Sequence, residues 1–346
     1  MREFEVYISG NASRQYPTDI LYGLLWYSDT EALEIPKKIP FSGEWGAVLS
    51  RILSDREQFP IPYKLNLAYI SLVEEKVYEI EEKLPKEEIE CLWQTKNDYD
   101  EPLYSHIVIG MGPYGKVAIW CNGYNKSLLV SYMQGHLSGV DLKKVIYGFK
   151  DIRNHCQKLI GDSFVKRNHR EHVLPACDIF DNYMKQFTYR YLSIYEKWKG
   201  GEKKWMKYEE GETEPEIDYI EEALFDGTHD KLHDGGLLKY HQAGKPKKLH
   251  IQWHIGKSEY TAYFWFEDEG IREVFDKFYG AHPDTKTDFI IRIDAENRKY
   301  ELALYRYGLK EPQVMPEDVY QLLVFKNKFE DYRSGNYNQE RGAWIW

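Results

Sequence analysis

A hairpin, a helix and a second hairpin occur twice in this chain at a nearly fixed offset. In the first copy Leu65–Ser71 and Val77–Glu82 read as strands around the charged turn Glu74-Glu75-Lys76. Pro85 then opens a helix over Lys86–Gln94, with Ile89, Leu92 and Trp93 at helical spacing. His106–Gly110 and Lys116–Cys121 form the next hairpin. In the second copy the strands are Leu249–Ile255 and Tyr260–Phe266, and the helix is Asp268–Tyr279. Phe289–Asp294 and Lys299–Tyr305 close it. Leu65 to Leu249 is 184 residues, Ile89 to Ile271 is 182 and Lys116 to Lys299 is 183. Coincidence of two common motifs is the competing reading, and the steady offset argues against it.

Each copy implies one antiparallel sheet with a helix over one face. The expected fold class is therefore α+β: two antiparallel ββαββ-type units, each sheet covered by a helix, joined by a helical middle segment. The expected division is 1–145, an N-terminal lobe; 146–245, a helical and acidic connector; and 246–346, a C-terminal lobe. Helical periodicity is read over Leu142–Gly161 and Cys177–Lys199, where Ile179, Phe180, Tyr183, Phe187, Tyr191 and Ile194 make one stripe. Further helices are expected at Pro215–Phe225 and Pro316–Phe329, and Gly227–Gly244 reads as loop. Phe4–Ile8, Ile20–Tyr27 and Leu128–Met133 read as strands.

At 346 residues with 42% hydrophobic and 16% aromatic content, the chain has material for two cores. A formal charge of −10 repels phosphate backbones and argues against nucleic acid as partner. The four cysteines, Cys91, Cys121, Cys156 and Cys177, form no CxxC pair and read as free thiols in a reducing compartment. No apolar run has the length of a membrane span, and MREFEVYISGNAS has neither a signal-peptide run nor a lipobox cysteine. The expected setting is the cytoplasm, with a periplasmic or lipid-anchored setting only if a leader has been removed.

The most distinctive stretch is HIVIGMGPYGKVAIWCNG, His106–Gly123, with LAYISLVEEKVYEIEEKLPKEEIECLW before it. Gly110, Gly112, Pro113 and Gly115 form a turn between strands, and Trp120 and Gly123 follow in the second strand. Gly112, Gly115 and Gly110 are expected to supply positive φ there. A phosphate cradle would continue into a helix, and a strand follows here. With Tyr78, Leu84 and Pro85 these positions resemble the bacterial domain-of-unknown-function family 2931. The resemblance implies a family without an established enzymatic activity. Its members are often lipoproteins, many encoded beside type VI secretion effectors, particularly phospholipase toxins. An immunity role by direct binding of a toxin follows as the implied function.

Two clusters remain as candidate sites. Trp205 and Tyr208 sit beside the acidic run that begins Glu209, Glu210, Glu212 and Glu214 and continues to Asp226 without a Lys or Arg. Aromatic anchors with steering carboxylates suit a protein partner; a solvated charged loop is the plainer reading. His229 and His233 are weak candidates for a metal site, with Asp230 and Asp234 nearby, and exposed polar histidines are the plainer alternative. His250 and His254 share a strand face with Gln252. The aromatic tail Tyr337, Trp344 and Trp346 is a second candidate for a partner. HExxH, GxSxG and P-loop motifs are absent, so no catalytic residue and no cofactor is assigned. The expectation is a binding protein with a protein partner and an open oligomeric state. A metal-dependent hydrolase using the late His and Asp residues, or a structural subunit of a larger assembly, is the alternative.

Overall fold

The computed structural model describes residues 3–13, 15–35, 43–48, 58–97, 99–123, 125–139, 154, 156, 158–159, 177–199, 202–206, 216–233, 236–255, 258–280, 282–293 and 300–328. Two compact units emerge: Met1–Met184 with Asp226–Thr228, and Lys185–Phe225 with His229–Trp346.

In the first unit, one sheet orders β3 (Ala32–Glu34), β2 (Thr18–Trp26), β4 (Lys64–Ser71), β5 (Lys76–Lys83) and β9 (His136–Leu137), all antiparallel. A second sheet orders β1 (Tyr7–Asn11), β6 (Tyr104–Met111), β7 (Lys116–Gly123) and β8 (Lys126–Gln134), with β1 parallel to β6. Helix α1 (Lys86–Trp93) connects β5 to β6, and α2 (Ile179–Tyr183) comes later in the unit.

In the second unit, one antiparallel sheet orders β13 (His229–His233), β12 (Glu216–Leu224), β15 (Pro246–Ile255), β16 (Ser258–Phe266) and β20 (Tyr320–Lys328). The other orders β11 (Glu202–Met206), β10 (Phe187–Lys199), β17 (Thr287–Ile293), β18 (Tyr300–Arg306) and β19 (Gln313–Val314). Strand β14 (His241–Ala243) also pairs with β10, and β10 is parallel to β17. Helix α3 (Asp268–Tyr279) connects β16 to β17.

Both hairpin–helix–hairpin segments form, but the architecture is not the expected α+β one. Strands dominate, with twenty against three α-helices among the described residues, and the sheets close on each other. In the first unit Leu65, Leu67, Tyr69 and Ile80 of one sheet share a core with Ile107, Ile109, Val117 and Ile119 of the other, and Ile89 and Trp93 of α1 join it. In the second, Leu249, Ile251 and Phe264 meet Tyr189, Phe289 and Leu302, and Ile271, Phe275 and Tyr279 of α3 join them. Two half-apolar sheets bury more area against each other than against a helix of eight or twelve residues.

The helical middle segment is also overturned, except that Ile179–Tyr183 within the expected helix Cys177–Lys199 forms α2. Phe187–Lys199 is a thirteen-residue strand. Tyr183, Phe187 and Tyr191 lie four residues apart, a spacing shared by a helix stripe and one face of a strand. Tyr189, buried between them, fits only period two. Pro215–Phe225, Pro316–Phe329 and Gly227–Gly244 likewise hold β12, β20 and β13 with β14. The expected helix Leu142–Gly161 lies almost wholly outside the described residues, as do Tyr337, Trp344 and Trp346. No helix among the described residues is long and apolar enough to cross a membrane. All four cysteines are free thiols; Cys121 and Cys156 are buried, Cys91 and Cys177 exposed.

Candidate binding surface

The glycine-proline signature is an internal lock of the first unit. Pro113–Gly115 is one 3₁₀ turn, with Tyr114 at φ 59 and Gly115 at φ +77. Positive φ is confined there to those two residues: Gly112 is extended at φ −117, and Gly110 lies inside β6. Gly110 is needed for space, because a Cβ would stand 2.6 Å from Cη2 of Trp120. The turn is held from below by Glu74, whose side chain is 1% exposed. Its carboxylate accepts from the Tyr114 amide at 2.8 Å and from the Tyr78 hydroxyl at 2.7 Å. Burial and that carboxylate push the Tyr78 phenol far above its usual range. The Tyr69 hydroxyl donates to the Gly112 carbonyl at 2.7 Å. Trp120, fully buried, donates its indole N–H to the Asp226 carbonyl at 3.0 Å, and Trp45 packs edge-on against it. Gly123 ends β7. Tyr69, Gly110, Gly112, Pro113, Gly115 and Trp120 are all buried.

Of the acidic cluster, Tyr208, Glu209, Glu210, Glu212 and Glu214 lie outside the described residues, and Trp205 sits in β11 opposite Glu196. The later acids are not a solvated loop. Ile220, Glu222 and Leu224 alternate on the inner face of β12, and Glu222 is 2% exposed. Its carboxylate accepts a short hydrogen bond from the buried Tyr191 hydroxyl, and His241 Nε2 stands 3.5 Å from its other oxygen, an ion-pair distance. A buried carboxylate is tolerated only with such partners. Burial pushes the Tyr191 phenol well up, and Glu222 adds to it. Burial by itself lowers His241, but Glu222 outweighs it and the imidazole is raised.

The opposite face of the same sheet carries stacked aromatic rings with lysines over them. Strand alternation sends Leu249, Ile251, Trp253, Ala262 and Phe264 inward, and Lys248, His250, Tyr263 and Trp265 outward. His250 stacks on Tyr263 with centroids 4.4 Å apart and planes 13° apart, and Tyr263 stacks on Trp265 at 5.7 Å. Lys248 lies over Tyr263 at 5.3 Å and Trp265 at 5.9 Å, and Lys231 over Tyr219 at 3.8 Å. Phe325 of β20 meets Tyr263 edge-on, and Trp265 keeps 39% exposure. His250 faces Glu221 at 3.3 Å and Tyr219 Oη at 3.4 Å; burial lowers its affinity for a proton, against Glu221. His254 lies between Asp218 at 2.6 Å and Glu259 at 3.7 Å.

His229 and His233 occupy the two ends of β13, with His233 5.8 Å from the Tyr219 ring. Among the described residues no group of three or more His, Cys, Asp or Glu side chains is placed to hold a metal ion. Sequence reasoning placed His250 and His254 on one face but missed Tyr219, Tyr263, Trp265 and Lys248 beside them. The signal was the period-two pattern of both strands; the register that brings them together is a tertiary fact.

The family model described as "Protein of unknown function (DUF2931)" matches residues 2–160. That region, just short of half the chain, is similar to this family. The match spans the signature turn and its lock, while the second unit, with the aromatic face, lies outside it. No curated protein and no solved structure gives a significant match.

Proposed function

We propose that this protein is a non-catalytic binding protein that recognises a protein partner through the outer face of β12, β13, β15, β16 and β20. The observation that carries this reading is the half-exposed ladder of His250, Tyr263 and Trp265, flanked by Lys248 and Phe325. Rigid aromatic rings already stacked on a sheet lose little conformational freedom on binding, and lysines over them supply polar contacts at the rim. The family resemblance points to a secreted bacterial toxin as partner, and so to an immunity role.

The two units also read as distant copies of one scheme. Each has an all-antiparallel sheet, and a second sheet whose first strand runs parallel to the strand after the helix. On this reading one copy keeps the locked turn and the other gained the binding face. Co-expression with the toxin encoded by the neighbouring gene tests the role: protection and a stable complex are expected. Toxicity unchanged and no complex would remove it.

A further inference from the structure

Sheet edges are hazards, because a row of unpaired N–H and C=O groups templates pairing with another strand. This chain shortens most of its edges. The outermost strands β3, β9 and β19 have three, two and two residues, and β1 and β11 five each. Strand β20 is different. It runs nine residues, YQLLVFKNK, at the end of its sheet, and pairs with β16 along its whole length. Among the described residues no strand covers its other side. Leu322, Leu323, Val324 and Phe325 are each half-exposed, and the strand contains no acid.

We propose that the open edge of β20 pairs antiparallel with the same edge of a second copy of this chain, about a two-fold axis. A two-fold normal to the sheet keeps each side chain on its own face and centres the pairing on one residue, and Leu323 and Val324 are the middle of the apolar run 322–325. One register is centred on Val324, setting Leu323 against Phe325 and Leu322 against Lys326. The other is centred on Leu323, setting Leu322 against Val324 and Tyr320 against Lys326. Both put apolar residues at the centre, and neither opposes two lysines. In the first register the two Lys326 residues lie four positions apart. At about 3.4 Å per residue that is about 14 Å, beyond the screening length of about 8 Å at physiological salt. Registers shifted toward the C-terminal end bring Lys326 against Lys326, so charge confines pairing to the apolar centre. The face of the sheet is not needed for this pairing, so the inference does not rest on the binding reading.

Sedimentation equilibrium of the full chain, with two variants, is the test. A species of twice the 41.2 kDa chain mass is expected. Leu323→Lys changes an outward, half-exposed side chain and is expected to give monomer with an unchanged melting temperature. Val324→Cys under mild oxidation is expected to give a disulfide-linked dimer. Wild-type monomer up to the solubility limit overturns the proposal. So does a dimer that survives Leu323→Lys and does not cross-link through Val324→Cys, which would place the contact elsewhere.

Discussion

Gly110→Ala is the sharpest probe of the first unit. The added Cβ would stand 2.6 Å from Cη2 of Trp120 and 3.1 Å from Cη2 of Trp45. Carbon atoms at rest approach to about 3.5 Å, so a rigid ring system must yield by about 1 Å. Trp120 has no room to do so. It is fully buried, tied by its N–H to the Asp226 carbonyl, and Gly227 packs against its other side so closely that a Cβ there would fall 2.9 Å from the ring. Overpacking of this kind costs about 1–3 kcal/mol, and the immobile ring places this site near 3. Trp120→Phe alone is expected to lose about 3–4 kcal/mol from the cavity and the lost indole hydrogen bond. Phe lacks the ring atoms that meet the new methyl, so the double variant is expected to be less destabilised than the sum by about 1–2 kcal/mol. Urea unfolding followed by circular dichroism reads all three. Gly110→Ala within about 0.5 kcal/mol of wild type, or simple additivity, would refute the steric account of the signature glycine.

His241 is raised by Glu222, so the stability this pair contributes is present below the usual histidine value of about 6.5 and is lost as pH rises through the raised folded value. Melting temperature from about pH 6 to about pH 8 should fall in wild type more than in His241→Gln; equal slopes would contradict the pair. Tyr191→Phe is expected to destabilise by about 1–3 kcal/mol in chemical unfolding, since it strips a donor from a buried carboxylate. Burial alone would raise Asp181, but hydrogen bonds from Lys116 at 2.6 Å and Tyr132 at 2.8 Å hold it below its usual value. Its contribution is therefore present above about pH 4 and lost as pH falls through the folded value. Asp181→Asn, at a half-exposed site, should cost no more than about 1 kcal/mol in the same unfolding assay.

The hairpins were legible because strand alternation and turn residues are local. Asp268–Tyr279 was legible to the residue, since its apolar stripe fits only a helix. Strand β10 was not, because aromatics at 183, 187 and 191 satisfy two periods at once, and only the partners β14 and β17 decide between them. The consecutive apolar residues 322–325 hide the alternation of β20 in the same way. The family signature was legible and is structural: Gly115 has the expected positive φ, but Gly112 is extended and Gly110 answers to Trp120, ten residues on, rather than to its own φ. The acidic run failed for a similar reason. Glu222 is buried because Tyr191 and His241 come to it from other strands, and no local pattern reveals that.

The central claim is that the outer face around Tyr263 and Trp265 recognises a protein partner. Calorimetric titration of the neighbouring gene's product, the proposed toxin, into wild type and into Tyr263→Ala/Trp265→Ala tests it most directly. Tight binding is expected in wild type, with a loss of at least about 2 kcal/mol, roughly thirtyfold, in the double variant. Melting temperature should change little, because both side chains project from the outward face. Equal affinity of the two proteins for the toxin would contradict the account.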